Sequence, residues 1–435
     1  MRILIISRVA WDENNSFGNT YSTFFRGMEN IHIANVYCAY GKPYTKVAER
    51  FFCINEKTIL QSIFNGKKSS GKEVYVNAEN YSINKIKYYE TARKKRWQIL
   101  FWVRDLIWKT GKWKSKELLE FIDTFKPDII FSPFYYSIYM NDVRNYIFKY
   151  LNVPMVSFVS DDIYTMKQFR MSPLFWIDRL IIRKKVKDSA KLNNFLYVIT
   201  NLQKEEYSKI LHPDCRLLYK GADFNLDPTV KRIGHPILIV YTGNLSAGRW
   251  RTLSQIGKVI SQLNRGDKLI KLHIYSNTPL TVTMKKALDI QNAIELKGSV
   301  PSDQIASVQT QADILLHCES FKLKERLQVR LSFSTKIVDY FSRSRCILAI
   351  GSDKVASISY LIENDAAIVV TQEQHMFKKL QHILHNPEII DEYAKKAWLC
   401  GQRNHQISNI QERLYEDLME CIWRKQLENE DIMDM

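Results

Sequence analysis

The sequence predicts an α/β protein made of two successive doubly wound halves, and three observations predict it. Short, wholly apolar runs of buried-strand type recur along the chain, separated by helix-length segments of mixed polarity. The opening pattern of a strand followed by a glycine-containing loop starts a second time near position 237. The length of 435 residues exceeds one ordinary core and suits two domains of roughly 200 residues each.

In chain order, Arg2 to Ser7 reads as a buried parallel strand, and the loop Arg8 to Thr20, with Gly18 and Asn19, leads into a helix near Tyr21. Further strands are expected at Ile31 to Tyr37, at Asp128 to Ser132 after Lys126-Pro127, at Pro154 to Val159 and at Phe195 to Thr200. Between Phe224 and Pro236 the periodicity lapses, which sets a boundary: an N-terminal domain over 1–225, a C-terminal domain over 226–408, and a helix and tail over 409–435. The second half opens with Ile237 to Asn244 and continues with strands at Ile270 to Tyr275, Ile294 to Lys297, Ile314 to His317, Cys346 to Ile350 and Ala367 to Val370. Asn409 to Lys425 reads as a helix, with Glu428 to Met435 as a frayed acidic tail. Open parallel sheets bind ligands beyond the carboxyl ends of their strands, so two of them facing each other form a cleft.

Composition narrows the class. With 46% hydrophobic and 25% charged residues the chain is globular throughout. The apolar run at Met1 to Ser7 is too short for a signal-peptide core, and no stretch approaches the roughly 20 apolar residues that span a bilayer. Seven cysteines without a C-x-x-C pair fit reduced thiols in a cytoplasmic protein, with neither disulfides nor zinc. The net charge of +17 calls for an acidic partner: nucleic acid, an anionic membrane or a phosphorylated small molecule.

Two segments carry the chemistry. In Tyr241-Thr242-Gly243-Asn244-Leu245-Ser246-Ala247-Gly248-Arg249, glycines let backbone N–H groups approach a phosphate, and Arg249 can supply paired hydrogen bonds before a helix expected near Thr252. The alternative is a tight turn with a solvated arginine. In Ser334-Thr335-Lys336-Ile337-Val338-Asp339, a capping Ser-Thr opens a helix, Lys336 suits phosphate, and Asp339 one turn later suits ribose hydroxyls. Here the alternative is a surface ion pair between Lys336 and Asp339.

In this order and architecture, these segments resemble the GT-B glycosyltransferases, in particular the retaining family 4 enzymes of bacterial surface polysaccharide synthesis, and the resemblance spans nearly the whole chain. It implies two Rossmann-like domains facing a cleft, a C-terminal helix returning to the first of them, and transfer of a sugar from a nucleotide-sugar, a UDP-sugar above all. The acceptor implied is a saccharide or lipid-linked saccharide. The implied donor set is Gly243, Asn244, Arg249, Ser276, Ser320, Ser334, Thr335, Lys336 and Asp339, with Gly18 and Asn19 on the acceptor-side loop. Two departures stand out: the family's Glu, seven residues, Glu motif requires a carboxylate where Leu331 stands, and its second Glu is Asp339. Negative charge builds on the leaving diphosphate in such a transfer, and fixed cations aimed at it carry the catalysis. Arg249 and Lys336 are expected in that role without a metal or other cofactor. Asp162 is a candidate acceptor contact, with a helix-capping carboxylate as the alternative.

From Lys85 to Lys116 eleven basic residues stand against two acidic ones, interleaved with tryptophans. Trp97, Phe101 and Trp108 fall on one helical face, which suits an anionic membrane and peripheral placement on the inner face of the plasma membrane. An ordinary core-packing helix with a solvated basic face is the alternative. His382 and His385 lack the companions that complete a metal site. Competing readings are a basic nucleic-acid-binding protein, for which no recognition module is present, and a nucleotide-sugar epimerase of similar build; nucleic acid is not expected as a partner.

Overall fold

The computed structural model describes residues 1–65, 70–75, 98–225, 227–229 and 231–433. The first sheet contains β1 (Arg2–Ser7), β2 (His32–Tyr37), β3 (Arg50–Ile54), β4 (Gly71–Val74), β5 (Ile129–Pro133), β6 (Met155–Val159), β7 (Phe195–Val198) and β8 (Cys215–Leu217) in the order β4-β3-β2-β1-β5-β6-β7-β8. The second contains β9 (Ile237–Thr242), β10 (Ile270–Tyr275), β11 (Ile294–Gly298), β12 (Ile314–Cys318), β13 (Cys346–Ile350) and β14 (Ile368–Val370) in the order β11-β10-β9-β12-β13-β14. Every pairing is parallel except β3 with β4. Strand order reverses between β1 and β5 in the first sheet and between β9 and β12 in the second, and such reversal points open the ligand crevice.

The strands form because their runs are apolar on both faces: β12 and β13 are buried at every position, as parallel strands covered by helices on both sides must be. Register keeps the apolar positions together, with Ile239 opposite Leu272 on one side and Ile314 on the other. The boundary expected at 225/226 falls in the link between Leu217 and Ile237.

The final helix, Ile407–Met433, returns to the first sheet. Leu414, Leu418 and Cys421 are buried in one cluster with Ile3, Phe131 and Tyr197, each large apolar side chain contributing roughly 1.5–3 kcal/mol by burial. Tyr197 Oη donates to Asp417 Oδ2 at 2.6 Å, and Gln411 Nε2 donates to the carbonyls of Thr23 and Arg26 at 3.2 and 2.9 Å. The helix runs on to Met433, through Glu428 to Met433 of the Glu428 to Met435 tail expected to fray. The chain therefore passes between the halves twice, and the two passages touch: Ala222 N donates to His405 O and Ile407 N to Ala222 O, both at 2.9 Å.

In the first half the opening helix spans Ser16–Phe25 and is capped by Asn15, whose side chain accepts from Gly18 N at 2.8 Å. Gly18 and Asn19 thus lie in the first turn of a helix rather than in the expected loop. The Asn15 cap starts the helix five residues before the apolar periodicity becomes visible at Tyr21. Gly18 is demanded by space, since a Cβ there would lie 2.1 Å from the Asp12 carbonyl oxygen.

Candidate functional site

The reversal point of the second sheet places the ends of β9 and β12 side by side, and the loops leaving them build the site. After β9, Ala247 and Gly248 take positive φ of 52° and 76°, turning the chain so sharply that the helix begins at Arg249, three residues before the expected position. A side chain at Gly248 would meet Ser320 Oγ at 2.8 Å, so glycine is needed for both conformation and space. Tyr241 Oη donates to Asn244 O at 2.6 Å and Leu245 N donates to Thr278 Oγ1 at 3.0 Å, fixing the loop.

Arg249 is not a solvated arginine. Its Nε and Nη2 donate to the two oxygens of Glu319 at 3.0 and 2.7 Å, and its Nη1 donates to Asn244 Oδ1 at 2.8 Å. Glu319, the first residue after β12, has a side chain only 3% exposed. Burial pushes its carboxyl up from the ordinary range and the Arg249 charge opposes that shift. Burial likewise disfavours the Arg249 charge, but Glu319 outweighs it and holds the guanidinium above its ordinary range. The fork-on-carboxylate geometry identifies a charged pair. Its partner Glu319 is a site residue that the motif reading passed over in favour of Ser320. The available signal was a carboxylate directly at a strand end on the reversal point.

Lys336 begins a seven-residue helix, Lys336–Ser342, and neither Ser334 nor Thr335 caps it: Thr335 has helical backbone and makes no side-chain cap hydrogen bond. Lys336 Nζ instead reaches back to the β9 end, donating to Thr242 O at 2.9 Å. A Cβ on Gly243 would lie 2.7 Å from that ammonium nitrogen, so the glycine leaves room for it. The Lys336 pKa is pushed down to about 8 by burial, with the Arg249 charge adding to the effect. Lys336 and Asp339 do not pair with each other; Asp339 Oδ1 accepts from Lys220 Nζ of the first half at 2.6 Å.

These residues share one cleft of about 360 Å³, lined among others by Gly243, Asn244, Ser276, Lys336, Asp339 and Gln309. The structure thus brings five of the donor candidates to one opening. It places Arg249 behind them through Asn244, and Ser320 beneath Gly248. Ser334 and Thr335 lie outside that lining. Among the described residues, no three His, Cys, Asp or Glu side chains gather as metal ligands.

Across the cleft the acceptor-side candidates need correction. Asp162 has a side chain 4% exposed and spends its oxygens internally: Oδ1 accepts from Tyr164 N at 3.1 Å, Thr165 N at 2.8 Å and Tyr207 Oη at 3.1 Å, with Thr165 Oγ1 on Oδ2 and Arg179 alongside. It organises its own loop and offers no free oxygen to a substrate. Its neighbour Asp161 is exposed and accepts from Ser332 Oγ of the second half at 2.8 Å. Leu331, standing where the family motif has a carboxylate, is 1% exposed and packs among first-half residues including Phe134, Val159, Ile163 and Tyr207. An ionised carboxylate there would be desolvated without a partner, which accounts for the leucine.

Of the aromatics expected at a membrane, Trp97 lies outside the described residues. Phe101 is 36% exposed and Trp108 only 2% exposed. Trp108 stacks on Tyr139 with ring centroids 4.5 Å apart, so it is a core residue. The helix Gln98–Thr110 keeps Lys109 and Thr110 exposed at its end while Trp108 turns inward.

No protein-family model matches the sequence, and no curated protein matches it. Solved structures do resemble the fold. HepE from Anabaena, solved with UDP, superposes with a TM-score of 0.63 at 11% identity, covering 97% of this chain and 100% of that one. Sucrose-phosphate synthase from Thermosynechococcus elongatus gives 0.61 at 12% identity, covering 96% and 99%. WaaG, a glycosyltransferase involved in lipopolysaccharide biosynthesis, gives 0.56 at 9% identity, again covering 96% and 99%. The fold is the GT-B fold of glycosyltransferases, over essentially the whole length of each.

Proposed function

We propose that this chain is a cytoplasmic glycosyltransferase that moves a sugar from a nucleotide-sugar, a UDP-sugar, to a saccharide or lipid-linked saccharide in surface polysaccharide synthesis, with retention and without a metal. The observation that carries the proposal is the cleft at the β9/β12 reversal point, where the Lys336 ammonium, the Gly243 backbone and the Asp339 carboxylate face one opening. Likeness to HepE, solved with UDP and with UDP-glucose, supports the donor class.

In this reading the donor diphosphate lies against Gly243 and Asn244, and Asp339 accepts from ribose hydroxyls. As the bond from the sugar's anomeric carbon to the diphosphate oxygen breaks, charge accumulates on the leaving group, and Lys336 stabilises it. The acceptor oxygen forms the new bond on the same face and its proton passes to the leaving phosphate. Arg249, balanced by Glu319, positions Asn244 and the loop.

Thermal unfolding against UDP, GDP, CMP, ADP and dTDP tests the proposal. UDP at 100 times its wild-type Kd stabilises by about 2.7 kcal/mol, and the shift falls to roughly half or less in folded Lys336→Met and shrinks in Asp339→Asn. An absence of any nucleotide shift in the wild type overturns it.

A further inference from the structure

Helix Pro173–Ala190 is apolar on two faces. One face, with Ile182, Val186 and Ala190, is buried in the first half. The other carries Leu174, Ile177, Leu180 and Ile181, exposed by 41, 49, 57 and 49%, at the three- and four-residue spacing of a continuous stripe. Helix Gln98–Thr110 lies beside it, with Trp102 Nε1 donating to Asp178 Oδ1 at 2.9 Å, and adds Leu100, Val103 and Leu106, exposed by 46, 47 and 59%. The loop leading into Pro173 adds Phe169 and Met171, exposed by 50 and 91%. Exposed apolar surface gathered in this way marks a contact site.

Charge selects the occupant. The same helix continues into Arg183, Lys184, Lys185 and Lys187, of which Lys184 and Lys187 are exposed, while exposed Lys109 ends its neighbour. Arg170 adds a cation over the Phe175 ring. An apolar stripe with a basic margin matches the interface of an anionic bilayer. A second copy of this chain, with net charge +17, would bring like charges together.

Position adds the functional link. The loop after β6 holds near its start Asp161, which touches Ser332 across the cleft at 2.8 Å, and near its end Met171, the most exposed of these apolar side chains. We propose that this surface docks on an anionic lipid bilayer and holds the cleft mouth at the membrane, so that the acceptor is lipid-linked. Docking stands on the surface itself; the lipid-linked acceptor rests on the glycosyltransferase reading.

The test is co-sedimentation of the full chain with vesicles of mixed phosphatidylglycerol and phosphatidylcholine, against phosphatidylcholine alone. Expected are binding to the anionic vesicles only, weakening with salt, and a loss of at least about tenfold in the triple variant Ile177→Glu, Leu180→Glu, Ile181→Glu. Lys184→Glu with Lys187→Glu, on the exposed basic margin, lowers binding by about tenfold or more and serves if the triple variant does not fold. Trp423→Ser, at an exposed tryptophan elsewhere, leaves binding unchanged, and the UDP thermal shift persists in all three. The proposal is overturned if the wild type ignores anionic vesicles, binds both kinds equally, or binds as well after the substitutions. It is also overturned if the triple variant merely converts a dimer to a monomer. Vesicle binding without a UDP shift leaves docking standing and removes the glycosyltransferase reading.

Discussion

In the proposed reading, where Lys336 faces the donor diphosphate, its depressed pKa makes donor affinity pH-dependent in a calculable way. Its ordinary value of 10.5 falls to about 8 in the ligand-free protein, whereas a bound diphosphate stabilises the ammonium and raises the value again. Above pH 8, binding must first restore the proton, so the apparent Kd is multiplied by one plus the ratio of neutral to charged lysine. That factor is about 2 at pH 8 and about 11 at pH 9, a loss of roughly 1.4 kcal/mol between pH 7 and 9. Neighbouring groups do not obscure the window: burial holds the Cys318 thiol far above its ordinary range and His317 down at about 3, so both stay neutral throughout. UDP itself is fully ionised above roughly pH 7. Titration calorimetry from pH 7 to 9 should show this weakening with proton uptake, seen as heat that depends on the buffer's ionisation enthalpy. Lys336→Arg, charged at every pH, should flatten the profile, and Lys336→Met should bind about 10- to 150-fold more weakly at pH 7 with no slope. A flat wild-type profile, or a slope that survives in Lys336→Met, would refute the assignment of Lys336 to the diphosphate.

The same lysine acts oppositely on stability: between about pH 8 and pH 10.5 the unfolded chain binds its proton more tightly, so the ligand-free protein gains stability from this group as pH rises, and Lys336→Met should raise Tm at pH 7. Arg249→Ala strands the buried Glu319 charge and should cost about 3–5 kcal/mol in denaturant unfolding, whereas Arg249→Met with Glu319→Gln should recover much of it. Gly243→Ala places a methyl group 2.7 Å from Lys336 Nζ and 2.8 Å from the buried Tyr241 Oη; circular dichroism should report an intact fold while UDP affinity drops about tenfold, as the ammonium and the tyrosine that fixes the loop are displaced. Asp162→Ala should lower stability by about 3 kcal/mol through its buried partners Arg179 and Tyr207, and a lower kcat at unchanged Tm would contradict that role.

The strands of the second sheet were legible because each is a bounded apolar run: Ile270–Tyr275 and Cys346–Ile350 match their expected limits. β3, β4 and β8 were not expected. β8 has three residues, too few for a pattern, and the antiparallel β4 has no fully buried position. Residue types identified Lys336, Asp339 and Gly243 as neighbours in one cleft. What pairs with what was hidden, because Arg249–Glu319 and Lys220–Asp339 join residues 70 and 119 positions apart. The inward turn of Trp108 was hidden for the same reason: a helical face can be read from spacing, but its cover belongs to Tyr139 on another helix.

Two covalent links between bodies ordinarily hold them at two separated points and resist bending. Here the outgoing link at Ala222 and the returning one at Gln406 run side by side as a short parallel bridge, and a side chain at Gly221 would collide with the Ile407 Cα at 2.9 Å. Both links therefore meet at what is mechanically a single pivot. Rotation about it moves the Ser332–Asp161 and Arg330–Glu206 contacts along an arc while Ala222 hardly shifts. The work of opening the cleft then falls on those rim contacts and on Leu331, packed among first-half residues.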